Sequence, residues 1–317
     1  MSHGYPSQFS SVQDERRVST EWLTIAVLAG CYASWGLALF VLSGWSVLLA
    51  TLVLVPVIAL HSSLTHEAIH GHPTGSAGVN AVLLVLPLTI WIPYLRFKDM
   101  HLAHHYDEVL TDPYDDPESN FLDPAVWDRL SPVWKTVLRI NNTLAGRIII
   151  GPFVGLYTFM RGDLEAIRGG NTRVLYGWLL HLPPVLVVIG LVIWSEMPVW
   201  AYFLAVHFAL GLLKIRTFLE HRAHEKARGR TVVIEDRGPL AFLFLNNNFH
   251  VVHHMHPRIA WYRLPALYRA RKDHYLARND GYRYASYAEV FRSHFLTAKD
   301  PVPHPLWKPD PKASDQG

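Results

Sequence analysis

Four long, strongly apolar stretches, three of them without a charged side chain and the fourth with only Lys214 at its end, constrain this chain more than any other feature. Trp22 to Val41 is the first, and Trp45 to Leu60 is the second, running on to about Thr65 with only His61 and small hydroxyls added. Val174 to Trp194 is the third and carries His181 and Pro183-Pro184, a pair expected to kink it. Val199 to Ile215 is the fourth, with His207 in its middle. A helix needs about 20 mostly apolar residues to cross a bilayer, and Trp and Tyr near several ends suit interfacial anchoring. Only 17% of the 317 residues are charged, against about 25% in soluble domains. A soluble protein with very apolar core helices is the competing reading, but such helices rarely run this long without charge.

The basic residues give an orientation. The short connections Leu42–Gly44 and Ser195–Pro198 contain no Lys or Arg. Arg16 and Arg17 precede the first run, and the tail from Lys214 onward is basic. The long loop between the second and third runs holds Arg96, Lys98, Arg129, Lys135, Arg139, Arg147, Arg161, Arg168 and Arg173. Four crossings, at about 22–41, 45–65, 174–194 and 199–215, with both termini and the long loop in the cytoplasm satisfy the positive-inside rule. The polar start around Asp14 and Glu15 and the lack of a cleavage motif mark the first run as an anchor. Val79 to Leu95, broken by Pro87 and Pro93, and Ile148 to Met160, holding Gly151-Pro152, would upset the sorting if they crossed. They are expected to be re-entrant or to lie at the interface. The expectation is an all-α integral membrane protein with four transmembrane helices and a cytoplasmic helical cap, located in a bacterial inner membrane. Its parts are an N-terminal segment (1–21), a membrane domain (22–271) and a C-terminal tail (272–317), of which Pro301 to Gly317 is expected to fray. The net charge of +3 does not separate a nucleic-acid partner from a membrane surface; the apolar runs select the membrane, and no nucleic acid is expected.

A single Cys excludes a disulfide scaffold, a thiolate zinc site and a cysteine-ligated cluster. Histidine is abundant instead, at 19 residues, and neutral imidazole is a ligand for transition metals. The second run ends in His66-Glu67-Ala-Ile-His70-Gly71-His72, and His101-Leu-Ala-His104-His105 follows the short apolar segment. After the fourth run come His221 and His224, then His250-Val-Val-His253-His254-Met-His256. On the topology above, every cluster emerges on the cytoplasmic side. Residues three and four apart share a helix face, so His66 with His70, His101 with His104 or His105, and His250 with His253 or His254 can each aim at one point. With His221 these make nine imidazoles. A tetrahedral zinc site needs four ligands, whereas nine suit two ions of higher coordination number, a dimetal site with open positions for oxygen or water.

Several histidines fall outside this set. His3, His274, His294 and His304 read as surface residues, and His181 and His207 as structural hydrogen-bonding groups inside crossings. Glu67, His72, Asp107, His224, Glu225, Asn247 and His256 are candidates to brace the ligands through their second ring nitrogen, as is Asp112. Trp35, Tyr32 and Trp178 are candidates for a pocket floor. His66 to His70 is also a literal HExxH, the zinc-protease signature, but a protease would leave seven of the nine histidines without a task.

At these residues the chain resembles the integral-membrane fatty acid desaturase and hydroxylase superfamily. HEAIH at 66–70, HLAHH at 101–105 and HVVHH at 250–254 match its three histidine boxes in order and type, the last within LNNNFHVVHHMHP. RTFLEHRAH at 216–224 resembles the region that supplies an extra histidine in several members, and the likeness covers roughly Leu60 to Arg271. The resemblance implies a non-heme di-iron centre, two Fe ions activating O2 with two electrons from a carrier. It implies His66, His70, His101, His104, His105, His250, His253 and His254 as ligands and His221 as the additional one. Thr217 stands where some acyl-CoA desaturases carry an Asn that helps to hold a water near one metal, and Glu220 has no counterpart in the motif. Zinc has no accessible redox change, so C–H oxidation calls for iron, although imidazole also suits zinc, copper and nickel.

No cofactor-binding segment for electron transfer is visible, so a separate ferredoxin-like carrier is expected, steered by the basic loop. The leading expectation is a desaturase acting on a lipid acyl chain. A hydroxylase, a carotenoid ketolase or hydroxylase, and a desaturase of a smaller amphiphile share the same ligands. A membrane transporter or metal-binding protein is the alternative from another class, although transporters place ion sites near the bilayer midplane and these clusters lie beyond the crossings.

Overall fold

The computed structural model describes residues 20–307; His3, Arg16, Arg17 and 308–317 lie outside the described residues. In chain order come helices α1 (Trp22–Trp45), α2 (Val47–Ile69), α3 (Tyr94–His104), α4 (Gly151–Arg168), α5 (Thr172–Trp194), α6 (Val199–Thr217) and α7 (His250–Met255), with shorter helices between them. Of these, α1, α2, α5 and α6 are long and apolar enough to cross a membrane. A two-stranded parallel pair, β1 (Val233–Ile234) with β2 (Arg283–Tyr284), is the small β element of the cap.

Ala50, Ala59, Ala201, Ala205 and Ala209 are buried in one core with Trp35, Leu39, Leu54, Ile58 and Val188. Small side chains of this kind let membrane helices approach closely, where packing replaces the hydrophobic drive that lipid cannot supply. The Trp35 indole N–H donates to Tyr202 Oη at 3.2 Å, and Tyr202 in turn donates to the Leu88 carbonyl at 2.9 Å. Outside, Leu48, Leu52 and Leu186 are exposed, and so are Trp45, Trp194 and Trp200 beside the two short connections. This is the aromatic belt expected at one interface.

The first connection differs from the sequence reading. Leu42–Gly44 carries no proline and no charge to stop a helix, and α1 runs through it by way of a π turn at Ala38–Leu42. Ser43 Oγ donates to the Leu39 carbonyl there at 2.6 Å. The break falls on Ser46, whose extended backbone ends α1 and whose hydroxyl accepts the Leu49 N–H at 3.2 Å to cap α2. A Cβ on Gly44 would stand 2.7 Å from Glu196 Oε2, so the two short connections lie side by side. Helix α5 is continuous across Pro183 and Pro184.

Neither of the shorter apolar runs forms a fifth candidate span among the described residues. Residues 79–95 make a seven-residue helix (Ala77–Leu83) and then a turn against the bundle, with the His181 Nε2–H donating to the Ile90 carbonyl at 2.7 Å. The run from Ile148 divides at Gly151-Pro152 and continues into the charged part of α4. The tail is also more ordered than expected as far as residue 307. The Leu122 N–H donates to the Val302 carbonyl at 3.0 Å, the His304 N–H donates to the Leu122 carbonyl at 2.8 Å, and the Trp307 indole donates to Asp123 Oδ2 at 3.1 Å. His304 is therefore buried and not a surface residue. Its Nδ1 accepts the Leu306 N–H at 3.1 Å, which leaves Nε2–H to donate to Thr111 Oγ1 at 3.2 Å. His274 is exposed, His294 is half-buried against the Tyr284 hydroxyl at 2.9 Å, and the His207 ring lies 4.5 Å from that of Phe153.

Candidate metal centre

The last turns of α2 place His66 and His70 on one face with ring centroids 4.9 Å apart. Helix α3 ends in His101, His104 and His105, and α7 consists largely of His250, His253 and His254. The run of three asparagines before α7 explains its position. Leu245 and Asn246 take positive φ, which Asn tolerates, and Asn248 Nδ2 staples the turn to the Ile234 carbonyl at 2.6 Å and the Asp236 carbonyl at 3.0 Å. His221, just past α6, is fixed by a bridge to Thr231 and by Lys299 Nζ, which donates to its carbonyl.

The structure brings all nine of these histidines together in two adjoining groups. His66, His70, His101, His105 and His253 form one, and His104, His221, His250 and His254 the other. Within each group the ring nitrogens that face inward lie within 4.8 Å of one another. The groups meet where the His105 and His254 rings stack at 4.3 Å.

The spacing inside the groups tests what they can hold. Nε2–Nε2 distances are 3.0 Å for His70–His101, 2.9 Å for His101–His105, 2.8 Å for His104–His221 and 3.2 Å for His221–His250. Nitrogens about 2.1 Å from a shared ion stand about 3.0 Å apart at right angles. The tautomers agree with that. His101 Nδ1–H donates to Glu118 Oε1 at 2.9 Å, His104 Nδ1–H to Asp116 Oδ1 at 2.7 Å, and His250 Nδ1–H to Asn247 Oδ1 at 3.1 Å. With Nδ1 so engaged, Nε2 is the atom that each of these rings turns toward its neighbours, where a cation between them can take the lone pair in place of a proton. His66 Nε2, His253 Nε2 and His254 Nε2 are buried with no hydrogen-bond partner, which is costly for a polar atom unless something coordinates it. The residues present therefore fit a metal site.

The carboxylates set the local charge. Burial works against it, but Glu118 and Asp116 hold the His104 imidazole up to about 9. In return, His101 and His104 outweigh burial and hold the Glu118 carboxyl below the usual carboxylate range. Burial, helped by neighbouring imidazoles, pushes His105, His221, His250 and His253 down, so these rings stay neutral and available as ligands.

The bracing residues divide. Asn247 holds His250, Asp107 lies 3.6 Å from His254 Nδ1, and Glu67 lies 3.7 Å from His66 Nδ1. His72 Nδ1–H donates to Glu21 at 2.6 Å instead of bracing a ligand. His224 turns to Asp280 at 3.0 Å, Glu225 is exposed, and His256 packs edge-on against Tyr275. Asp112 accepts the Tyr114 and Asp115 N–H groups. The most direct carboxylate partners, Asp116 and Glu118, were not singled out in the sequence; the only signal was an acid-rich stretch, Asp112-Pro-Tyr-Asp-Asp-Pro-Glu118, after the second box. Glu220 also acquires a place, in a buried ion pair with Arg216 at 3.0 Å and accepting from Asn247 Nδ2 at 3.2 Å. In the HExxH segment, Glu67 Oε2 accepts the buried Trp261 N–H at 3.3 Å. A protease base would need that carboxylate for a water. Of the floor candidates, Trp35 is tied into the bundle core, Tyr32 touches His61, and Trp178 donates to Asp163 Oδ2 at 2.8 Å.

The profile of one protein family, described as fatty acid desaturase, matches residues 43–286. The chain is also similar to a beta-carotene ketolase from Paracoccus sp. (strain N81106 / MBIC 01143), at 25% identity over 216 residues that cover 64% of this chain and 71% of the ketolase.

Proposed function

The chain belongs to the fatty acid desaturase family, and from that premise we propose that it is an O2-dependent di-iron oxidoreductase acting on a membrane lipid, with insertion of a double bond into an acyl chain as its reaction. The single observation that carries this reading is the convergence of nine imidazoles into two adjoining groups at the end of an apolar bundle. Bound iron would supply the oxidising power for an unactivated C–H bond.

His66, His70, His101, His105 and His253 would hold one ion, and His104, His221, His250 and His254 the other. Glu118 and Asp116 engage Nδ1–H of His101 and His104, so Nε2 of each ring is the atom that would bind an ion. Asn247 does the same for His250. The bundle keeps bulk water from the chain being oxidised, and its lipid-exposed walls give a hydrocarbon substrate a route in. Electrons would come from a separate ferredoxin-like carrier. The charge sorting favours both termini and the histidine groups on the cytoplasmic side of a bacterial inner membrane.

A second reading, oxygenation of a ring carbon to a ketone, is favoured by the similarity to the carotene ketolase. Mass spectrometry of the product after expression with a ferredoxin system decides between them. Loss of two hydrogens is the expected outcome, gain of one oxygen marks a hydroxylase, and exchange of two hydrogens for one oxygen marks a ketolase. Iron-loaded protein that consumes no O2 with any lipid would sink both.

A further inference from the structure

A cavity of about 260 Å³ lies between α2, the 81–97 segment and α5. It is just below the roughly 300–1,000 Å³ of pockets that enclose a whole small molecule, so it suits one end of a longer one. Leu180, Val85 and Leu95 on its wall are exposed on the outer, lipid-facing surface of the bundle. Phe97 also lines it, with a ring centroid 5.7 Å from that of His101. The cavity therefore has walls in common with the apolar outer surface and with the edge of the histidine groups.

Most of the wall is hydrocarbon, but the hydroxyls of Ser62, Thr65, Thr89 and Tyr94 and two imidazoles, His61 and His181, stand in it. Their hydrogen bonds fix their tautomers. Tyr32 gives its one hydroxyl proton to the Leu83 carbonyl at 2.9 Å, so its 3.1 Å contact with His61 requires His61 Nε2–H to donate. The Ile90 carbonyl can only accept, so His181 Nε2–H donates to it at 2.7 Å. In both rings the proton on Nε2 is committed to a protein acceptor, which leaves the lone pair on Nδ1 of two residues that line the cavity. Thr65 spends its proton on the His61 carbonyl at 2.9 Å, and two imidazole acceptors in a mostly hydrocarbon wall suit a ligand that brings a proton of its own. His61 also precedes His66 by five residues of α2, about 7.5 Å along the helix axis, which places the acceptor a few carbon–carbon bonds from the level of the proposed metal ligands.

We propose that this cavity takes the end of a hydrocarbon substrate bearing an alcohol hydroxyl, which donates to His61 or His181, and that these two residues determine specificity. The proposal deepens the function given above and rests on it for the reaction; the binding preference stands on the cavity alone. The test uses the iron-loaded full-length protein in nanodiscs, titrated with hexadecanol and with its methyl ether, which has no proton to donate, after subtraction of partition into empty nanodiscs. The alcohol is expected to bind about tenfold more tightly. His61→Phe and His181→Phe should each narrow the gap, and the double variant should close it. Equal binding of alcohol and ether by the wild-type protein overturns the proposal even if the variants do not fold. A preference that survives in a folded double variant overturns it too. Turnover measured on the same samples keeps the two readings apart: loss of oxidation with the alcohol preference intact condemns the reaction, and equal binding with oxidation intact condemns the specificity.

Discussion

The bundle and the cap bury polar atoms in opposite ways. Inside the bundle polar groups are few, and the donors are matched to an acceptor, as in Trp35 to Tyr202 to the Leu88 carbonyl and His181 to the Ile90 carbonyl. In the cap the polar atoms are crowded, carboxylates point at the backs of the imidazoles, and ring nitrogens on the inner side are left without protein partners. The first arrangement holds a fold together, because in hydrocarbon an unmet polar group has no water to turn to. The second leaves its unmet atoms where a cation would fit. A buried polar atom thus carries opposite meanings in the two regions, and its neighbours tell which applies.

Substitution can break this contrast. The largest effect is expected for His104→Ala, His105→Ala, His253→Ala and His254→Ala. Each should cut turnover by more than the roughly hundredfold upper range seen for residues that brace a metal ligand. Metal analysis should show lowered iron while the protein still inserts into the membrane. Full activity in any two of these variants would end the assignment. Next come Asp116→Asn and Glu118→Gln, which keep shape but lose the anion behind His104 and His101; metal affinity should fall about 10–100-fold, read by competition with a chelator.

In the bundle the outcome should reverse. Tyr202→Phe removes the donor to the Leu88 carbonyl and the acceptor for Trp35, so stability should drop by about 1 kcal/mol, the scale of membrane hydrogen bonds. The melting midpoint checks this, with iron per chain unchanged. His304→Ala should cost a similar ~1 kcal/mol for its buried link to Thr111, whereas a surface histidine would cost nothing. The smallest effect is expected for Arg278→Ala. This partly exposed residue pairs with Asp107 beside His254, and such pairs contribute about 1 kcal/mol or less; a melting shift larger than that of Tyr202→Phe would contradict the ranking.

Legibility in the sequence follows the same divide. The bundle could be read from uncharged length alone, because crossing a bilayer imposes that length. Its ends could not: the sequence puts a connection at Leu42–Gly44, while the backbone turns at Ser46, since one Ser among apolar residues is a weak mark until its hydroxyl is seen capping α2. Eight of the nine histidines were legible because helical spacing is written along the chain, and His221 because it follows the fourth run on the same side, a place that the family resemblance gives to an additional ligand. Asp116 and Glu118 were not, since a loop decides which of several acidic residues reaches His104 and His101. His304 was misread for the same reason: its burial depends on a pairing with Leu122 far away in sequence.

The contact between Lys299 and His221 bears on how the protein is made. A nascent chain displays the first two boxes as soon as α2 and α3 emerge, long before the ribosome reaches residue 299. The loop carrying His221 cannot receive its latch until then, nor can the 122 segment pair with 302–304. Filling of the four-histidine group by a metal would thus come after synthesis, and a truncation that removes 299–304 is expected to yield membrane-inserted protein that matures incompletely.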